Sequence, residues 1–170
     1  MRHPGALSTA LFAAAFTVGA LTACSRALRP GAEANNARFE RQVGTGSAED
    51  LITISGRVIR LHRYEIVKQE GAPRVYIETQ WLDRHPFDDE QMLGVTRAQT
   101  RLLLRGTAHG STPLGPLYRL DLTVETRVQL AEPGQWTETM ATDDYRKYAD
   151  RITEDLKREL TVGVRRWDGR

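Results

Sequence analysis

The stretch "LYRLDLTVETRVQL", residues 117–130, constrains the fold more than any other part of the chain. Tyr118, Leu120, Leu122, Val124, Thr126, Val128 and Leu130 alternate with Arg119, Asp121, Thr123, Glu125, Arg127 and Gln129. Successive side chains of a strand point to opposite faces, so this spacing predicts a long strand with one face buried and one in water. A sheet of that kind is antiparallel and needs an apolar layer over its dry face. The preceding run, "QTRLLLRGTAHG", is expected to pair with it as a hairpin across "GSTPLGP".

Two segments can supply the covering layer. In "GSAEDLITISGRVIRLHRYE", Leu51, Ile54, Val58 and Leu61 recur at helical spacing, with Ile52 and Ile59 widening the stripe. Ser47 and Asp50 form an S-x-x-D capping pair and Glu49 adds negative charge at the helix start, so a helix is expected from about Ser47 to Arg63, with Gly56 its weak point. A second helix is expected over Asp143 to Val162, after Thr142 as N-cap and stopping at Gly163. Its stripe is Tyr145, Tyr148, Ala149, Ile152, Leu156 and Leu160, and Asp143 with Lys147 and Glu154 with Arg158 are its expected surface pairs.

The remaining strands are shorter. "RFERQVG" alternates Phe39, Arg41 and Val43 against polar neighbours. "YEIVKQEGAPRVYIETQWL" reads as two strands around a Gly-Ala-Pro turn, with Val75, Ile77, Thr79 and Trp81 on one face. "DRHPFDDEQMLGVTRA" breaks the pattern with Pro86 and Gly94 and reads as a loop that can hold a helical turn. The sum is an α+β domain over residues 38–162, a single antiparallel four- to five-stranded sheet with two helices packed on one face.

The N-terminus has a different character. Residues 6–23 contain no charged side chain and follow the basic start Met1-Arg2-His3, which is the layout of a secretory signal segment. A membrane span is the rival reading, though the many Ala, Gly, Ser and Thr residues make the run less apolar than most spans. Residues 24–37 have no apolar period and read as a flexible tether, and residues 163–170 as a C-terminal tail. Removing residues 1–23 takes only Arg2 from the charges, leaving 23 basic residues against 22 acidic ones, a formal balance of +1. That gives no basic excess of the sort nucleic acid requires, so none is expected as a partner.

Leu21-Thr22-Ala23-Cys24, at the end of the uncharged run, resembles the lipobox of bacterial lipoproteins. The resemblance implies cleavage before Cys24, a diacylglycerol on its thiol and an acyl chain on its new amine. With Cys24 lipidated, no other cysteine remains for a disulfide, a zinc site or a nucleophile. The resemblance further implies an outer-membrane address facing the periplasm, because Ser25 is not the aspartate that holds family members at the inner membrane. The order of elements, with "HRYEIVKQEGAPRVYIETQW" as the helix-to-hairpin passage, is similar to helix-grip accessory lipoproteins of the outer-membrane β-barrel assembly machinery, the C component in particular. That likeness implies a protein partner in the envelope.

Candidate chemistry is sparse. Asp83, His85 and Asp88 in "DRHPFDDE" are oxygen and imidazole donors, but they match no ligand spacing and Arg84 competes with a cation; a solvated loop is the expectation, and no metal. His62 and His109 have no partner visible in the sequence that would make either a base. "GTGS", residues 44–47, lacks the lysine of a phosphate loop and reads as a turn into a helix cap. Trp81, Trp136, Tyr145 and Tyr148 are the candidates for touching a ligand or partner, and Arg165, Arg166 and Trp167 lie in the tail. These features point to a non-catalytic, lipid-anchored binding module with no cofactor beyond the acyl groups on Cys24. A carrier of an apolar ligand between sheet and final helix is the first alternative, and a metal-dependent enzyme the second.

Overall fold

In the computed structural model, which describes residues 38–130, 134–138 and 141–165, the alternating segment lies near the middle of an open antiparallel sheet. Among those residues the chain runs β1 (Arg38–Gly46), α1 (Ala48–Leu61), β2 (Ile66–Glu70), β3 (Tyr76–Thr79), β4 (Leu82–Arg84), α2 (Asp88–Met92), β5 (Arg97–Thr112), β6 (Gly115–Gln129) and α3 (Asp143–Arg165). The sheet order is β1-β6-β5-β3-β2, with β4 also on β5. The fold is therefore α+β, with six strands and three helices where four or five strands and two helices were expected. The expected signal segment and tether, residues 1–37, lie outside the described residues, as does the tail beyond Arg165.

Strands β5 and β6 pair from Arg97↔Gln129 to Thr112↔Gly115, so the expected seven-residue connection contracts to Pro113 and Leu114. Gly115 makes that tightness possible with a φ of 131°, and Gly110, next to the register shift after Ala108, has a φ of 142°. On the dry face Leu102, Leu104, Leu120, Leu122 and Val124 are fully buried, in one cluster with Leu51, Val58, Tyr145, Ile152 and Leu156 from the helices. Both α1 and α3 thus cover the same face. At the far edge, β1 runs antiparallel to β6 over eight register pairs beginning at Arg38↔Glu125, where the Arg38 guanidinium lies 3.1 Å from the Glu125 carboxylate.

Helix α1 starts as its sequence predicts. The Ser47 hydroxyl accepts from the Asp50 amide at 3.2 Å and donates to the Asp50 carboxylate at 2.7 Å. Ile59 is buried as expected, but the stripe differs at the end: Leu61 is 74% exposed, and Ser55 and Gly56 are buried. Arg63 then takes a φ of 64°, which turns the chain out of the helix toward buried Tyr64. Helix α3 passes through Gly163 rather than stopping there; a side chain at 163 would collide with Ile54 of α1, so the glycine lets the two helices approach. Lys147 pairs with Asp144, and Glu154 with Lys157, so the surface pairs form at a spacing of three rather than the expected four.

The "DRHPFDDE" segment is ordered by long-range contacts. Arg84 makes two 2.6 Å hydrogen bonds to the carboxylate of Glu90, with both side chains nearly buried, and a third to the Thr126 hydroxyl at 3.1 Å. Glu90 also accepts from the Phe87 amide at 2.9 Å, and Asp89 accepts from the Asp144 amide at 2.9 Å, which caps α3 from outside. Removing either member of the Arg84–Glu90 pair would leave its partner buried and uncompensated. The expected loop is for this reason a short strand and one helical turn.

Candidate functional site

The odd-numbered residues of β6, with those of β5 up to the register shift after Ala108, form the face that no helix covers. Arg97, Gln99, Arg101 and Arg105 from β5 lie beside Arg119, Asp121, Glu125 and Arg127 from β6, with Leu103 the one apolar member among the β5 set. Arg101 is held between Glu125 at 2.7 Å and Glu78 at 3.2 Å, and Glu125 also takes Arg38, so the centre of this face is an ion-pair network. Tyr76 extends it by donating to Glu78 at 2.7 Å.

Next to the network, two indoles lie against the arginine rows. Trp81 was expected to share the buried face of Val75, Ile77 and Thr79. The strand instead breaks at Gln80 and Trp81, between β3 and β4, and Trp81 turns to the open face. Its ring centroid lies 4.7 Å from the guanidinium carbon of Arg101 and 4.2 Å from that of Arg127. Trp136 is carried there by the Val128–Thr137 bridge and lies 4.9 Å from Arg127 and 5.4 Å from Arg97. Guanidinium groups stack on indole faces through the ring quadrupole, which fixes both partners and keeps the charge in place. Arg127 donates from Nε to Gln99 at 2.7 Å, and among the described residues no carboxylate lies within 4.0 Å of it. Burial, and then the like charge of Arg101, press its pKa below the usual arginine value, though a guanidinium stays charged.

Tyr145 and Tyr148 stand on the other side of the sheet, apart from the two tryptophans. Tyr145 is fully buried and donates to the Val124 carbonyl at 2.7 Å. Burial pushes its phenol well above the ordinary tyrosine range, and burial followed by the neighbouring Tyr148 does the same to Tyr64. Tyr148 is half-buried and shares a 2.7 Å hydrogen bond with Tyr64, which shares another with Thr100. It lines a shallow cavity of about 280 Å³ with His62, Arg151 and Asp155. There His62 has the carboxylate partner that sequence reading did not find: Asp155 lies 3.0 Å from Nε2, 93 residues away along the chain. Among the described residues no serine, threonine or cysteine hydrogen-bonds to His62, so the pair does not extend to a nucleophile.

The weak metal candidates are each engaged separately. Asp83 accepts from Gln99 at 2.7 Å, His85 lies 3.4 Å from Gln91, and Asp88 sits in the first turn of α2. Among the described residues no group of three His, Cys, Asp or Glu side chains could hold a metal ion. His109 lies at the β5 register shift, and Ser47 of "GTGS" serves as the α1 cap.

Arg127 was read only as part of the wet half of the alternation, and Arg97, Arg101 and Arg105 were not singled out. Their signal was present in the sequence: positions 97, 101 and 105 share a strand face, and an aromatic near either end of that surface could reach them. Among the described residues no helix is long and apolar enough to cross a membrane. Comparison with protein-family models gives no match to this chain, and comparison with curated proteins gives none either.

Proposed function

We propose that the chain is a lipid-anchored bacterial envelope protein, attached through Cys24 to the outer membrane and facing the periplasm. In this reading it is a non-catalytic binding module with a helix-grip-like domain, and its partner is another envelope protein. The observation that carries it is Leu21-Thr22-Ala23-Cys24 at the end of an uncharged run behind a basic start. The contact surface is the helix-free sheet face, where half-exposed Trp81 and Trp136 present rigid aromatic area and Arg127 presents charge. Tryptophan and arginine are the residues that most often dominate protein contacts, and an acidic patch on the partner complements this pair. The apolar-carrier reading asks for room between α3 and the sheet, where Leu120, Leu122, Ile152 and Leu156 are at most 1% exposed.

The test is expression of the full chain in a diderm host as wild type and as Cys24→Ala, with a photo-crosslinking residue in place of Trp136. The wild type is expected to lose residues 1–23, gain acyl mass, sediment with outer membranes and crosslink to a discrete protein. Retention of the N-terminus by both versions would remove the anchor reading. Crosslinking that is unchanged by Arg127→Ala would remove this face as the contact.

A further inference from the structure

At the other end of the open face, where the β2–β3 hairpin meets β5, a cleft of about 390 Å³ is lined by Lys68, Arg74, Tyr76, Arg105, Gly106 and Thr107, with Glu70 beside Lys68. Its centre is main chain: the Gly106 amide donates to the Val75 carbonyl at 2.8 Å. A Cβ at position 106 would stand 2.5 Å from that of Val75, so glycine is what lets the strands close to this distance. Three cationic side chains therefore line one small opening. Lys68 is shared with Glu70 at 2.9 Å, but among the described residues no carboxylate lies within 4.0 Å of the Arg74 or Arg105 guanidinium. The Tyr76 ring has Lys68 at 5.3 Å and Arg105 at 5.9 Å, so it braces both cations and leaves them facing the cleft region they line.

We propose that this cleft is a binding site for a phosphate group borne on a larger ligand. Three cations against one carboxylate leave an excess of positive charge that an anion neutralises. A phosphate offers up to three terminal oxygens to the Lys68 ammonium and the two guanidinium forks, with the Thr107 hydroxyl as a further donor. A carboxylate has two oxygens and one charge, and would leave part of that set unmatched. The volume admits a phosphate together with a small body resting on Tyr76. The same chemistry occurs in a phospholipid headgroup and in a soluble phosphorylated compound. The site rests on the cleft alone and does not require the lipid anchor.

The full chain in maltoside micelles, which contain no phosphate, is titrated with inorganic phosphate and followed by amide chemical shifts. Saturable shifts at residues 68–76 and 105–107 are expected. Arg105→Gln and, separately, Arg74→Gln should each weaken binding at least tenfold, while Arg127→Gln on the same face leaves it unchanged. Each variant is checked for an unchanged unfolding midpoint, and two substitutions keep the test open if one of them fails to fold. Shifts that never saturate, that persist in both cleft variants, or that glutarate reproduces at equal concentration would overturn the proposal. A second arm adds water-soluble dihexanoyl phosphatidic acid to the same sample, so that the chain's own membrane attachment plays no part. Saturation of the same shifts at a lower concentration than inorganic phosphate requires, lost in Arg105→Gln, identifies a headgroup ligand. Saturation by inorganic phosphate but not by the lipid identifies a soluble one.

Discussion

Strands β5 and β6 carry two faces built on opposite terms. Toward the helices, Leu102, Leu104, Leu120 and Leu122 have no exposure and gain from removal of apolar surface from water. Toward solvent, Arg101, Glu125, Glu78 and Arg38 are tied by directional charge pairs that water competes with. The same backbone ladder supports both sets. Stability is therefore concentrated on one side of a sheet a few ångströms thick, and the other side is free to vary its chemistry. Trp81 and Trp136 meet Arg127 on the side where substitution is cheap for folding.

The sharpest way to break this division is Leu122→Ala. Emptying a fully buried leucine site costs about 3 kcal/mol, within a range of roughly 2–5, and urea unfolding would register it. A loss below about 1 kcal/mol would mean that the helices do not hold the sheet as closely as described.

Alkaline pH should give the next largest effect, again confined to the buried side. Tyr64 and Tyr145 have phenol pKa values raised in the fold by burial, which makes them weaker acids than in the unfolded chain. A group raised on folding contributes its full stability below its unfolded value, near pH 10 for tyrosine, and loses it as pH climbs beyond that value. The urea midpoint should hold from pH 8 to about pH 10 and then fall. In the Tyr64→Phe, Tyr145→Phe double variant the fall should be smaller; an equal fall in both proteins would assign it to other groups.

The smallest effect is expected on the open face. Arg101→Gln removes the centre of the charge network, yet its side chain is 28% exposed and Glu125 keeps Arg38, so the cost should stay under about 1 kcal/mol and shrink further in salt. A cost matching that of Leu122→Ala would erase the distinction between the faces.

The face with periodic apolar content was the legible one. The alternation at 118–128 fixed which side of β6 is dry, and Ser47 with Asp50 fixed the start of α1, because both signals are local. The short elements were legible only as a loop that can hold a helical turn, for the opposite reason. Three residues of β4 and five of α2 carry no period, and they are held by Arg84 reaching Glu90 and Thr126. The candidate site was half visible: the tryptophans drew notice as isolated aromatics, but their meeting through Arg127 depends on the break at Gln80–Trp81 and on the Thr137 bridge. Pairing of His62 with Asp155 depends in the same way on the antiparallel approach of α1 and α3, which Gly163 permits.

The eight β1–β6 register pairs have a mechanical consequence. Arg38 is both the N-terminal end of β1 and a partner of Glu125, whose carboxylate also holds Arg101. A pull on the chain at Arg38 directed along β1 loads that ladder in shear, so its hydrogen bonds share the force and yield together. The same pull directed across the sheet opens them one at a time, from Arg38 toward Gly46. The domain would then resist or release according to the direction of the force, with the Arg38–Glu125–Arg101 link as the first latch in either case.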